Sequence, residues 1–297
     1  EGMMRMSAAC SIVMLCLITG NGAFAGATVS GVAVSAQWST TADMAAAPFY
    51  GRIMKYVLDG GTVTGRSELF PGPSRYPTLS VDGQRVAWIN QDGSVSMMSV
   101  GGGAATVLVS GLVSGAGFID WPDGDWVYYS RGGRTDDGSR ELWKVHADTK
   151  AAEHVITFGD RVWEFGMSND AARCAVRPSV DGAYRFNMQG NLSFGDWGDP
   201  NKFGDGCGVS ISPDGNYLMR FTSQAHDAFA IHEWYSGGMT PQNWQGFIIK
   251  ALPLPTIAGW GQFFGKGLAN PPRWSCNDPK WVCIMTGWEH RACKEGA

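Results

Sequence analysis

The feature that most constrains this chain is a short hairpin that occurs five times. Its fullest copy is Val209-Ser210-Ile211-Ser212-Pro213-Asp214-Gly215-Asn216-Tyr217-Leu218-Met219-Arg220-Phe221. Val209 and Ile211 alternate with Ser210 and Ser212, the period of two of a half-buried strand. Ser212-Pro213-Asp214-Gly215 supplies the turn: Pro presets φ, Asp bonds its own backbone and Gly accepts positive φ. The other copies are Ser80-Val81-Asp82-Gly83, Trp121-Pro122-Asp123-Gly124, Ser168-Asn169-Asp170-Ala171 and Ser275-Cys276-Asn277-Asp278, each leading into an apolar strand. Turn positions 82, 123, 170, 214 and 277 lie 41, 47, 44 and 63 residues apart. Four-stranded propeller blades repeat every 40–50 residues or so, about this spacing. A Gly/Pro/Trp-rich insertion near 236–262 lengthens the last interval.

Ser-Pro-Asp-Gly followed by an apolar strand resembles the TolB-like β-propeller repeat, a relative of the WD repeat, over roughly residues 50–297. The resemblance implies an all-β fold, a propeller of four-stranded antiparallel blades. It is nearly silent on function, because this repeat serves scaffolds, lectin-like binders and enzyme domains alike. The first full unit has inner strands at 76–80 and 84–89 and outer strands at 94–100 and 104–109. A second spans 117–158, a third 163–194, and a fourth runs from Gly208 to Leu252. The fifth has inner strands only, 273–275 and 281–285, whereas 52–58 and 62–70 look like an outer pair without inner strands. These halves complete each other, which predicts five blades, four continuous and one composite, in a ring without an open sheet edge. A sixth unit cut short is the competing arrangement.

Charged residues make up 17% of the chain and the net charge is −4, which argues against a nucleic-acid partner, since that wants a basic stripe. No run of 18 or more apolar residues occurs outside the N-terminus, so no membrane span is expected. Arg5, the apolar stretch 8–18 and Ala23-Phe24-Ala25 have the three-part layout of a secretion leader. The predicted organisation is a signal peptide at 1–25, a linker or loose first strand at 26–48, and the propeller at 49–297, in a secreted or periplasmic protein starting at Gly26. Cleavage leaves Cys174, Cys207, Cys276, Cys283 and Cys293, an odd number whose pairing is open. Cys276 and Cys283 flank one turn and could face each other. No metal or cofactor motif is present, and neither a metal nor a cofactor is expected.

Within a blade, the turn between the first two strands lies on one face. The loops from strand two to three, and those entering the next blade, lie on the other. The Ser-x-Asp-Gly turns therefore share a face and are structural. The opposite face receives 131–140, 194–207, 222–227 and 287–296, which are longer, varied and rich in Arg, Asp, His and Trp. Function concentrates on such loops over a rigid scaffold. The expected ligand-binding residues are Trp163, Glu164, Asp196, Trp197, Asp205, His226, Arg273 and Trp288. Trp88, Trp126 and Trp281 fall on second strands and are expected in the core. No catalytic residue is assigned: the sequence has no nucleophile elbow, P-loop or zinc-protease helix. The favoured reading is a non-catalytic exported propeller that binds a glycan, a peptide or a protein. The alternative is a propeller-shaped glycoside hydrolase or polysaccharide lyase. Such hydrolases need two carboxylates about 5–9.5 Å apart, and Asp120, Glu164 and Asp205 are the candidates.

Overall fold

A computed structural model describes residues 13–16, 30–37, 50–59, 62–112, 116–131, 139–178, 183–188, 202–204, 208–221, 228–233, 252–253, 273–274, 276–277, 281–284 and 289–294. Among them there is no helix. Every regular element is a strand, and every strand pairing is antiparallel.

The strands fall into sets of four. β4 (Thr62–Leu79), β5 (Arg85–Asn90), β6 (Val95–Ser99) and β7 (Thr106–Val109) form the first. β8 (Ala116–Asp120), β9 (Trp126–Arg131), β10 (Ser139–His146) and β11 (Ala152–Met167) form the second. The long β11 continues into the third set, with β12 (Arg173–Pro178), β13 (Ala183–Asn187) and β14 (Lys202–Gly204). β15 (Ser210–Ile211), β16 (Tyr217–Phe221), β17 (Ala228–Glu233) and β18 (Leu252–Pro253) form the fourth. These follow the four continuous units expected from the repeat, except that the third ends on β14, inside the stretch 194–207 expected as a loop of the face opposite the turns. Asp196 and Trp197 thus belong to the connection from its third strand to its fourth, which leaves β13 at the turn end, where Asn187 lies opposite Arg173.

The closing arrangement differs from the expected one. β3 (Gly51–Asp59) is not an edge awaiting inner strands, because it lies between β4 and β2 (Gly31–Gln37). β2 pairs on its other side with β21 (Glu289–Lys294), so the set β21-β2-β3-β4 joins the C-terminal strand to three N-terminal ones. The stretch 26–48 thus contains a regular strand, with Ala33, Val34 and Ala36 fully buried. The stretch 287–296, read as a loop of the working face, contains another. Polar Glu289-His290-Arg291 hides that strand from a reading by hydrophobicity, yet its backbone satisfies the ladder of β2. β19 (Arg273–Trp274) and β20 (Trp281–Ile284), the expected closing pair, instead form a sheet with β1 (Val13–Cys16), inside the predicted leader. The inner strands touch in the order β4, β8, β11, β15, β19, β21, and β21 touches β4.

The apolar residues between sheets form the core. Trp88 is fully buried beside Val34, Ile53, Leu79 and Val86, with the Phe70 ring 4.9 Å away. Tyr76, Phe118, Trp121, Tyr129, Leu142 and Phe165 belong to a second cluster between neighbouring sheets. Trp126, expected in the core, packs on its margin half-buried.

The repeated turns are bonded alike. In three of them the Ser hydroxyl (Ser80, Ser168, Ser212) donates to the Asp two residues on and accepts an N–H five residues on. The Asp also accepts the N–H two residues beyond itself. The position after the Asp has φ of 68° at Gly83, 72° at Gly215 and 52° at Ala171, so the degraded copy keeps the geometry. Trp121 replaces the Ser in the remaining described turn, and Asp123 takes over by accepting from Asp125 and Trp126. The turns also clasp one another. Arg85 donates to the Gly124 carbonyl (2.7 Å) and to Asp148 (3.1 Å), with its guanidinium 4.9 Å from the Trp121 ring. Arg173 donates to the Gly215 carbonyl at 2.7 Å.

Ala171→Gly removes a left-handed strain and should raise stability by about 0.5–1 kcal/mol. Gly215→Ala adds that strain and sets a Cβ 3.0 Å from Arg173 and 3.1 Å from Ser168, so it should lower stability by about 1–3 kcal/mol. Denaturant titrations of both variants read these values. At Asp82 burial pushes the pKa up, but the Ser80 hydroxyl, the Gln84 N–H and Arg85 outweigh it and hold the carboxyl below its ordinary 3.8. A lowered carboxylate pKa stabilises the fold above the unfolded value, and that stabilisation is lost as pH falls through the folded value. Melting curves below about pH 4 should therefore fall less steeply for Asp82→Asn than for the parent.

Candidate functional site

The end of the ring that carries the turns is drawn shut. The residue after each turn Ser points toward its counterparts. Asn169 donates from Nδ2 to the Cys276 carbonyl at 2.8 Å, and its own N–H bonds the Pro213 carbonyl at 2.8 Å. The Cys276 sulfur lies 3.8 Å from the Val81 carbonyl. The first and third of these contacts skip a sheet, because β15 lies between β11 and β19, and β21 lies between β19 and β4. Pro122, Pro213 and Cys276 are buried. Contacts that cross the ring leave little room for a ligand among these turns.

The inner strands are joined by polar side chains, and two of the three candidate carboxylates are used for this. Asp120 is 4% exposed. Its Oδ1 accepts from Thr78 Oγ1 (3.5 Å) and the Trp121 N–H (3.0 Å), and its Oδ2 accepts from the Met167 N–H (2.9 Å). One carboxylate thus links β4, β8 and β11. Glu164 accepts the N–H groups of Gly208 and, at 3.2 Å, Val209 on Oε2, while Oε1 faces Arg177 at 3.8 Å. It joins β11 to the start of β15, where Gly208 has φ of 73°. Ser210 continues the series by accepting the Trp274 N–H at 3.5 Å. Cys174 beside this chain of contacts is a free, buried thiol; burial, then the Asp120 charge, pushes its pKa far up, so it is no nucleophile at neutral pH.

At the other end, three inner strands slip register at matching places: between Arg75 and Thr78, between Ala116 and Ile119, and between Val162 and Glu164. Such irregularities are common at barrel rims and beside sites. At the first, Tyr76 takes φ of 53° immediately before Pro77, a costly state for a bulky residue. Its ring lies 4.6 Å from Phe118, and Arg75, buried, sits 5.0 Å from the Tyr50 ring and 5.5 Å from that of Tyr76. In the adjoining second-to-third-strand turn, Asp92 accepts from the hydroxyl and N–H of Ser94.

Of the expected site residues, Glu164 has a described side chain, and it is engaged with backbone as above. Trp163 and Arg273 lie on β11 and β19, at the ends of inner strands away from the turns, but their side chains fall outside the described set. Asp196, Trp197, Asp205, His226 and Trp288 lie outside the described residues. Tyr50, Arg75, Tyr76 and Arg177 were not singled out from sequence. The run Pro71-Gly72-Pro73 just before Arg75, entering an inner strand, was the available signal. Cys276 is disulfide-bonded.

Removing a catalytic carboxylate usually leaves stability unchanged or raises it. Removing one that satisfies buried N–H groups costs about 1–3 kcal/mol per group left bare. Asp120→Ala and Glu164→Ala should therefore each cost at least about 2 kcal/mol. Urea midpoints of the two variants check this, and a stabilised variant would return that residue to the list of catalytic candidates.

The fold has relatives of known structure. A candidate TolB from Agrobacterium tumefaciens matches with a TM-score of 0.53 at 13% sequence identity, covering 87% of this chain and 98% of the other. In all, 1204 solved chains match, and a shape so widely shared leaves chemistry to the individual site. No protein-family model and no curated protein matches the sequence. The chain has the fold of a TolB-like β-propeller.

Proposed function

We propose that this is an exported, non-catalytic propeller that holds a glycan, a peptide or a protein partner on the face opposite its repeated turns. The observation that carries the reading is the use made of Asp120 and Glu164. Both belong to the inner strands, where a hydrolase would keep its acid and its nucleophile or base. Both direct their oxygens to backbone N–H groups of neighbouring sheets. A carboxylate held this way is fixed as an acceptor and has little freedom to shuttle protons. The hydrolase or lyase reading needs two disengaged carboxylates, and these two do not supply them.

The choice of face rests on the contacts across the turn end and on the sequence of the other loops. The turns are bonded within themselves and to each other, which leaves few polar groups to offer a ligand. Trp288, His226 and Asp205, in three separate connections that leave their strands at the end away from the turns, bring flat aromatic surface and polar groups suited to a sugar ring or a peptide. Export rests on the leader layout at 1–25 and is supported by the disulfide at Cys276, a bond that persists in oxidising compartments.

A glycan and peptide array identifies the ligand class. Trp288→Ala should weaken a hit at least about tenfold, with little change in melting temperature. Asp214→Ala should lower stability by about 1 kcal/mol and leave affinity unchanged. Loss of binding in the Asp214 variant without loss of stability would place the ligand on the turn face instead.

A further inference from the structure

Five sets in the ring have four strands, and the sixth does not. β19 and β20 supply an inner pair. Four residues, 285–288, then carry the chain from Ile284 to Glu289, where β21 begins as the inner strand of the next set. No chain remains there for a third and a fourth strand. The outer side of β20 can be covered only by a segment from elsewhere. In the structure that segment is β1, antiparallel, with Val13 opposite Ile284, Met14 opposite Cys283, Leu15 opposite Val282 and Cys16 opposite Trp281.

β1 lies in the stretch 1–25 that reads as a secretion leader. If that stretch is removed on export, β20 loses its only outer neighbour among the described residues. Its N–H and C=O groups then form an open sheet edge, a template for strand addition. We infer that the outer edge of β20, residues 281–284, accepts an extended apolar strand from a partner protein, in the place that β1 fills in the uncleaved chain. The inference rests on the leader reading in "Proposed function" and concerns a surface separate from the loops discussed there. The occupant's chemistry is read from β1: at least four residues, extended, antiparallel and apolar, as in Val13-Met14-Leu15-Cys16. Main-chain bonds give affinity in this mode, and alternate side chains give selectivity.

The test uses the product that a bacterial host exports from the full chain. N-terminal sequencing first reads whether it starts at Gly26. A labelled peptide carrying residues 11–17, with Cys16→Ser and lysines at both ends, is then titrated against it. Two further peptides carry a backbone N-methyl group at Met14 or at Leu15. Successive N–H groups of a strand point to opposite edges. Strand addition therefore predicts saturable binding, lost by about five- to tenfold with one methyl group and retained with the other. It also predicts slower hydrogen exchange at residues 281–284 when the peptide is bound. Absence of binding to a product that starts at Gly26 overturns the inference and leaves the leader reading intact. Equal binding of both methylated peptides, or a dimer in which 281–284 are already protected, overturns it as well. A product that retains residues 1–25 overturns the leader reading, and the inference with it, because the chain then covers its own edge.

Discussion

The ring depends on a problem that any propeller must solve: adjacent inner strands are not paired to each other, so their polar backbone groups near the axis need partners that side chains supply. Asp120 solves it for three strands at once, reaching Thr78 on β4 and the backbone of Met167 on β11. Glu164 and Ser210 carry the same solution onward to β15 and β19. A buried carboxylate without such partners would be costly. With them it fixes how the sheets sit relative to one another. Outside this chain of contacts, Arg85 and Arg173 clasp the turns of neighbouring sheets.

This scheme accounts for what could be read from the sequence. The turn motif was legible because each copy meets the same local demand, satisfied by Ser, Asp and Gly at fixed positions. Even Ala171 announced its turn through its neighbours Ser168 and Asp170, and its φ of 52° shows that the turn overrides the preference of the residue. The four continuous sets follow from period and turns. The closing set was not legible, because β21 is a polar stretch whose strand character comes from its partner β2, with 253 residues separating even the nearest pair, Ala36 and Glu289. β2 itself is short in large apolar residues, so 26–48 read as linker or loose strand.

The role of the inner carboxylates was hidden for a related reason. An Asp that accepts backbone N–H groups and an Asp that transfers protons look alike in sequence, and both sit near the axis. The distinction lies in partners that come from other sheets: Met167 is 47 residues from Asp120, and Gly208 is 44 residues from Glu164. The same holds for Arg75, which owes its interest to Tyr50 and to the strained Tyr76 beside it. One end of the ring is spent on bonded turns, and the other gathers the register slips.

The most direct measurement of the central claim is a crystal structure of the exported protein bound to its array-selected ligand. The account predicts the ligand among the connections at 205–207, 222–227 and 285–288, with Asp120 and Glu164 still bonded to Met167 and Gly208. A ligand seated among Val81, Asn169 and Cys276, or reaching Asp120 with its backbone bonds released, would contradict it.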